Sequence, residues 1–253
     1  MNQFLSNKII AGIVALTLLV GVGVGVLISS GDRSTTTTST TSTTSTTSTT
    51  STTSTTIPKI CATGGTCSVG DTGPGGGKVF YDAGSTQSWG RYLEVAPTDY
   101  QVNGSPRVAW GCYGTITGAT ATAIGTGKAN TATILATCKE TDIAADVAYK
   151  YSTTTTPNAP GAAGQWFLPS KDELNELCKI YSNGSTDTAQ YESNQNGCTG
   201  STSPTGGFAA DNYWSSSEIW SGGAWYQYFN YGYQGNDAAK YYATGFVRPV
   251  RAF

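Results

Sequence analysis

Two groups of acids and one set of cysteines are the residues of this chain whose types and spacing could do chemistry. Asp172, Glu173 and Glu176 stand close together, and Asp211 and Glu218 lie among aromatic residues. Paired carboxylates can serve as general acid and general base, as they do in glycoside hydrolysis. The first group, however, opens a helical pattern, where acids complement the positive end of the helix dipole. For the second group, a polar corner of the fold or a bound cation competes with catalysis. The chain contains no histidine. That removes the commonest general base and every Ser-His-Asp or Cys-His arrangement. With no C-x-x-C either, zinc and redox sites lack their usual ligands, so no metal and no cofactor is expected. Gly77-Lys78 is followed by Val79 and a strand pattern, whereas a phosphate-binding loop needs Ser or Thr and then a helix. A non-enzymatic role is expected.

The six cysteines are Cys61, Cys67, Cys112, Cys138, Cys178 and Cys198. An even number in an exported domain favours disulfides, although sequence leaves many connectivities open. The local pairing Cys61–Cys67, Cys112–Cys138 and Cys178–Cys198 is preferred over free buried thiols.

The segment from Ala224 to Gly245 has the most unusual composition. Trp225, Gln227 and Phe229 share one face of a strand, and Tyr226 and Tyr228 share the other. With Trp225 and Phe229 in the core, the two tyrosines face solvent. Tyr231, Tyr233, Tyr241 and Tyr242 extend that display, interleaved with Gly235, Asn236, Asp237, Ala238 and Gly245 and followed by Phe246. Tyrosine offers a large rigid contact area at low entropic cost, and the small polar residues adapt around it, as in an antibody paratope. The alternative is a core or a subunit interface, and the mixture is too polar for a core. These twelve positions are the expected ligand-binding residues.

Other segments must carry and position this patch. Residues 1–8 precede a run from Ile9 to Ile28 that holds no charge and is long enough to cross a bilayer. Lys8 places the N-terminus in the cytoplasm. An anchor over 9–29 is preferred to a cleaved signal peptide, whose apolar region is normally shorter. Residues 30–58 follow, and Ser34 to Thr56 are serine and threonine alone. With nothing apolar to bury they form a solvated linker or an O-glycosylated stalk. The globular domain occupies 59–253. Its turn signals predict strands at Lys78–Tyr81 and Arg91–Val95, joined by a turn across Gly84–Gly90. Helices are predicted over Thr126–Cys138 and Asp142–Tyr149. A third starts at the Ser170 and Glu173 capping box, carries Leu174, Leu177, Cys178 and Tyr181 on one face, and stops at Asn183-Gly184. Tyr213-Trp214, Ala224–Phe229 and Phe246–Val250 read as strands. Strands, then two or three helices, then strands imply an α+β fold with an antiparallel sheet. Charged residues make up 12% of the chain and the formal net charge is -2. That leaves no basic patch to hold phosphates, so nucleic acid is not an expected partner.

Four ordered stretches carry a resemblance: Gly70-Asp71-Thr72-Gly73-Pro74-Gly75-Gly76-Gly77, Trp166 to Leu174, Tyr213 to Glu218, and Val247 to Phe253. From about Val69 onward the chain resembles the C-terminal domain of the Legionella collagen-like adhesin, a family that includes the major paralogous domains of Fibrobacter. The resemblance implies a C-type-lectin-like fold on an exported bacterial protein, related to formylglycine-generating enzymes. The E-P-N, Q-P-D and W-N-D motifs of calcium-dependent lectins are absent, as is any match to the reactive cysteine pair of those enzymes. A second resemblance is to the variable targets of diversity-generating retroelements. Such templates keep Ala-Trp, Gln, Phe, Lys and a closing Val-Arg-Pro-Val-Arg, matched here by Ala224, Trp225, Gln227, Phe229, Gln234, Lys240 and Val247 to Arg251. Randomised AAC codons never encode Lys, Glu, Gln, Met or Trp, and none of these stands at Tyr226, Tyr228, Tyr231, Tyr233, Gly235, Asp237, Ala238, Tyr241, Tyr242, Gly245 or Phe246.

The expected function is therefore surface-displayed recognition, with a protein or glycan on another cell or on phage as ligand. A fixed glycan-binding adhesin and a structural envelope component are the alternatives.

Overall fold

The computed structural model of the chain describes residues 60–183, 197–237, 239–241 and 245–253. The expected anchor at 9–29, the linker at 30–58 and the binding positions Ala238 and Tyr242 lie outside the described residues. Among those described, no helix is long and apolar enough to cross a membrane.

The elements run β1 (Lys78–Gln87), β2 (Gly90–Val95), β3 (Arg107–Val108), α1 (Gly127–Thr137), α2 (Ala144–Lys150) and α3 (Lys171–Tyr181). They continue with β4 (Asn212–Trp220), β5 (Gly223–Tyr228), β6 (Gln234–Gly235), β7 (Gly245–Phe246) and β8 (Val250–Ala252). The class is α+β, as the order of sequence patterns predicts, with three α-helices among the described residues. One sheet has the order β1-β2-β8 and is antiparallel; the other has the order β3-β7-β4-β5-β6. The first sheet is antiparallel as expected, whereas the second is mixed, because β7 runs parallel to β4 with Tyr213 opposite Phe246. These two strands are not consecutive, so no hairpin constrains their direction.

Local chemistry sets the elements. Ser170 accepts the Glu173 amide at 3.3 Å, and the Glu173 carboxylate accepts the Ser170 amide at 2.8 Å, which completes the predicted capping box. Leu174, Leu177 and Cys178 are buried on the predicted face of α3. The predicted turn over Gly84–Gly90 is corrected. β1 continues through Gln87, which pairs with Gly90, and Gly84 at φ 76° takes up an irregularity in the register. The predicted strand Phe246–Val250 is split, since Pro249 cannot donate to a ladder, and β7 and β8 enter different sheets. The three disulfides are Cys61–Cys67, Cys112–Cys138 and Cys178–Cys198, the expected local pairing.

The five-stranded sheet is covered on both faces. Over one lie Ile134 of α1 and Ala144, Ala145, Val147 and Ala148 of α2, packed with Trp214, Ala224 and Tyr226. Over the other lie Leu174 and Leu177 of α3 with Phe80, Leu93, Val95 and Val250 of the small sheet, against Tyr213 and Phe229.

Buried carboxylates tie the loops to this frame. Glu94 accepts the amides of Gly75 and Gly77 at 2.9 and 3.1 Å and pairs with Arg251. A Cβ at Gly75 would sit 2.6 Å from the Glu94 Oε1, so the glycine-rich loop is shaped to enclose a carboxylate of its own chain. Glu173, besides its capping bond, accepts the amides of Gly125 and Gly127 at 2.8 and 3.4 Å. Burial pushes its carboxyl up to about 7, against the pull of these backbone donors and of Ser170. A carboxyl whose folded-state value lies above its unfolded value stabilises the fold when protonated, and that contribution is lost as it ionises. The domain is expected to lose stability as pH rises from about 4.5 to about 7, by up to about 1.4 kcal/mol per unit. Glu173→Gln should flatten that part of the profile in denaturant titrations at stepped pH. An unchanged slope would move the titration to another group.

Candidate functional site

β5 is the centre of the expected binding segment. Its alternation is as predicted, with Trp225, Gln227 and Phe229 on one side and Tyr226 and Tyr228 on the other. The expectation that the second side meets solvent is corrected, because α1 and α2 cover it. Tyr226 is 4% exposed inside that cluster, and Tyr228 is half-buried against it. On the other side Gln227 and Phe229 are fully buried, while Trp225 is half-exposed beneath the Lys171 ammonium, 4.9 Å from its ring centre.

Four tyrosines nevertheless form one array. Tyr228 stacks on Tyr233 at 4.9 Å between centroids, and meets Tyr226 at 5.1 Å and Tyr231 at 5.8 Å edge-on. The Tyr226 hydroxyl donates to Asp237 at 2.5 Å and lies 3.1 Å from the Tyr233 hydroxyl. Burial, then the hydrogen bonds to Asp237 and Tyr233, raise the Tyr226 phenol far above its ordinary value, so it stays a neutral donor. The array grades outward. Tyr233 is half-buried, and Tyr231, Asn236 and Asp237 are exposed.

The segment then runs back along β5, where Ala239 bridges Gly223, to a second exposed aromatic group. Tyr241 packs edge-on against Tyr113 at 4.5 Å, and a Cβ on Gly222 would fall 3.2 Å from Tyr113 and 2.5 Å from the ring of Trp220. Tyr113, Trp220 and Tyr241 are each about half exposed, and Ile116 is 68% exposed. Tyr113, Ile116 and Trp220 were not among the expected binding residues. The 113–116 stretch gives no periodic signal, and the position of Trp220 at the end of β4 follows from the register alone.

A buried ion pair holds this second group. Glu218 accepts the amides of Thr117 and Gly118, both at 2.8 Å, and pairs with the Lys240 ammonium. Lys240 also donates to the Thr115 carbonyl at 3.0 Å and lies 4.5 Å from the ring centre of Trp110. Burial works against charge on both groups. Lys240 and the two amides still hold Glu218 below the usual carboxylate range, while burial leaves Lys240 below the usual ammonium range.

The remaining candidates separate. Gly245 and Phe246 lie in β7, with β4 and β5 between them and β6. Gly245 is buried under the Trp214 ring, and Phe246 packs on Tyr213 with Arg107 above it. Asp211 pairs with Arg107 just before β4, whereas Glu218 sits near the other end of that strand. The intervening strand holds them roughly 20 Å apart, too far for an acid and base flanking one glycosidic bond. Asp172 and Glu176 pair with Lys171 and Lys179. Cys112, Cys138 and Glu140 have metal-ligand spacing, but both sulfurs are used in the disulfide. A surface depression of about 810 Å³ over α3 is lined by Asp172, Asn175, Glu176 and Lys179, with none of the expected binding residues in its walls.

No protein-family model and no curated protein matches this chain. The site therefore rests on its own geometry. Burial varies sharply among the described residues of 224–251. Ala224, Gln227, Phe229, Lys240, Val247, Arg248 and Val250 are each at most 1% exposed, and Tyr231, Asp237 and Tyr241 are exposed.

Proposed function

We propose that this protein is a surface-displayed recognition protein. Its C-type-lectin-like domain would present the face running from Tyr231 through Asp237 to Tyr241, Tyr113 and Trp220. An N-terminal helix over 9–29 would anchor it and the Ser/Thr stretch would carry the domain clear of the envelope. The ligand would be a protein or glycan on another cell or on phage, held by aromatic contact and hydrogen bonding without chemical turnover. The observation that carries this reading is the division of burial within 224–251. Most residues that a retroelement template would keep constant are buried, with Trp225, Gln234 and Arg251 half-buried. Of those it would vary, Tyr231, Asp237 and Tyr241 stand at the surface, while Tyr226, Gly235 and Gly245 are buried. A scaffold with that division tolerates change in its contact residues without losing its fold.

Deep sequencing of the gene across a population is the test. Gly235 and Ala238 are the informative codons, because Tyr, Asp and Phe end in a pyrimidine in any gene. Codons of the form NNC that vary between cells, beside an AAC-bearing repeat and a reverse transcriptase, are the expected result. Gly245 should vary least, since a Cβ there would lie 2.7 Å from Cγ of the buried Trp214. A uniform locus without a template would end the diversification reading and leave a fixed adhesin built on Tyr113, Trp220 and Tyr241.

A further inference from the structure

Gly235 is opposite Tyr226 in the β5–β6 ladder. A Cβ added at Gly235 would fall 2.7 Å from Cε1 of the Tyr226 ring and nearer still to its Cζ and hydroxyl. The backbone does not call for glycine there, because Gly235 is not among the glycines with positive φ. Only the ring does. Tyr226 occupies the space that a side chain at 235 would fill, and lodged there, in the cluster it shares with α1 and α2, its ring is 4% exposed with its hydroxyl on Asp237 and Tyr233.

Gly245 supplies a contrast. It too lies under a ring, that of Trp214, at the same 2.7 Å. Trp214 is fully buried, with Nε1 donating to the Val108 carbonyl at 2.9 Å, in a strand with neighbours on both sides. A displaced Trp214 ring has nowhere to go. Tyr226 has an exit, since β6 is the edge of the sheet and Asp237, which receives its hydroxyl, is exposed.

We infer that positions 226 and 235 act as one specificity-determining unit, in which the residue at 235 decides whether the ring at 226 is stowed in the core or added to the recognition face. With glycine at 235 the ring is stowed, and the face is built from Tyr231, Tyr233 and the exposed end of Tyr228. With any larger residue the ring turns out across the sheet edge, and Tyr228 and Tyr233, which pack on it in sequence, shift with it. One substitution thereby rewrites the whole array. A large residue at 226 is compatible with the stowed state only when 235 is glycine, so the two positions select each other. The consequence for specificity rests on the recognition reading above; the steric coupling itself does not.

The test needs no ligand. Hydroxyl-radical footprinting of the full-length chain, read by mass spectrometry, reports the oxidation of Tyr226 with exposed Tyr231 as internal reference. In Gly235→Ala, oxidation of Tyr226 should rise several-fold toward that of Tyr231. The thermal midpoint should fall in Gly235→Ala, and the same substitution in a Tyr226→Ser background should cost little, the signature of a coupled pair. A folded Gly235→Ala chain with Tyr226 still protected would overturn the inference, as would an equal loss in both backgrounds. Should Gly235→Ala not fold, recovery of folding in the Tyr226→Ser, Gly235→Ala double variant supports it and failure to recover overturns it. A uniform gene would remove diversification and leave this coupling standing, so the two readings fail separately.

Discussion

Lys240→Met is expected to destabilise the domain by about 3–5 kcal/mol, because it strands a buried carboxylate. Lys240 is fully buried and Glu218 is 2% exposed. Removing the ammonium leaves Glu218 with the Thr117 and Gly118 amides but no countercharge, and frees the Thr115 carbonyl. For a domain of this size the loss corresponds to a fall of roughly 10 °C in thermal midpoint. The double variant Glu218→Gln, Lys240→Met should recover at least half of it. A glutamine oxygen can still accept an amide, and no unpaired charge is then left at that point of the core. A loss below about 1 kcal/mol in the single variant would show that water reaches Glu218, contrary to its burial. The pair also bears on the surface. It fastens the stretch carrying Tyr113 and Ile116 to the one carrying Tyr241, so the exposed aromatics are held by charge they do not display.

This ion pair shows where reading the sequence stops. The capping box of α3 and its apolar face are legible because their partners lie three or four residues apart, where helical geometry leaves little choice. The local disulfides and the alternation along β5 are legible for similar reasons. Glu218 meets Lys240 across 22 residues and the Thr117 amide across 101, and no local pattern announces either contact. Glu94, Glu173 and Glu218 are all buried on backbone amides of loops remote in sequence. The same limit explains the misplacement of Tyr226. Alternation says which residues share a face, but whether helices arrive to cover that face is decided by α1 and α2, some 80–100 residues away. Tyr113 and Trp220 are drawn together by Gly222 and by the Lys240 contacts, so their half of the face becomes visible only in three dimensions.

In each of these cases irregular backbone is fastened by internal charge. Short strands β3, β6 and β7 contribute two residues each, too few to position 231–241 through ladder bonds alone. Buried carboxylates and cations take over the task. Each supplies several donors or acceptors from one point and thus fixes several loop segments at once.

Arg248 is the extreme case, and Arg248→Met is expected to cost about as much as Lys240→Met, about 3–5 kcal/mol at neutral pH, but with a pH dependence of its own. The guanidinium is 1% exposed and donates to the carbonyls of Ala96 and Pro97 at 3.1 Å, Gly206 at 3.2 Å and Gly207 at 2.6 Å. It also pairs with Asp99 and lies 4.0 Å from the ring centre of Phe208. Methionine can keep the contact with Phe208 and none of the donors. Burial already holds the Asp99 carboxyl above its ordinary value, with Arg248 and the Tyr213 hydroxyl pulling it down. Without Arg248 the folded-state value rises further. A raised carboxyl stabilises the fold while protonated and loses that contribution as pH climbs through its folded value. The deficit of the variant relative to the parent should therefore be smallest near about pH 4 and grow toward about pH 7. Adding Asp99→Asn should remove the pH dependence and leave the cost of four carbonyls without their donor. Equal deficits at both ends of that range would show that Asp99 is already neutral in the parent, and that Arg248 serves the two loops by hydrogen bonding alone.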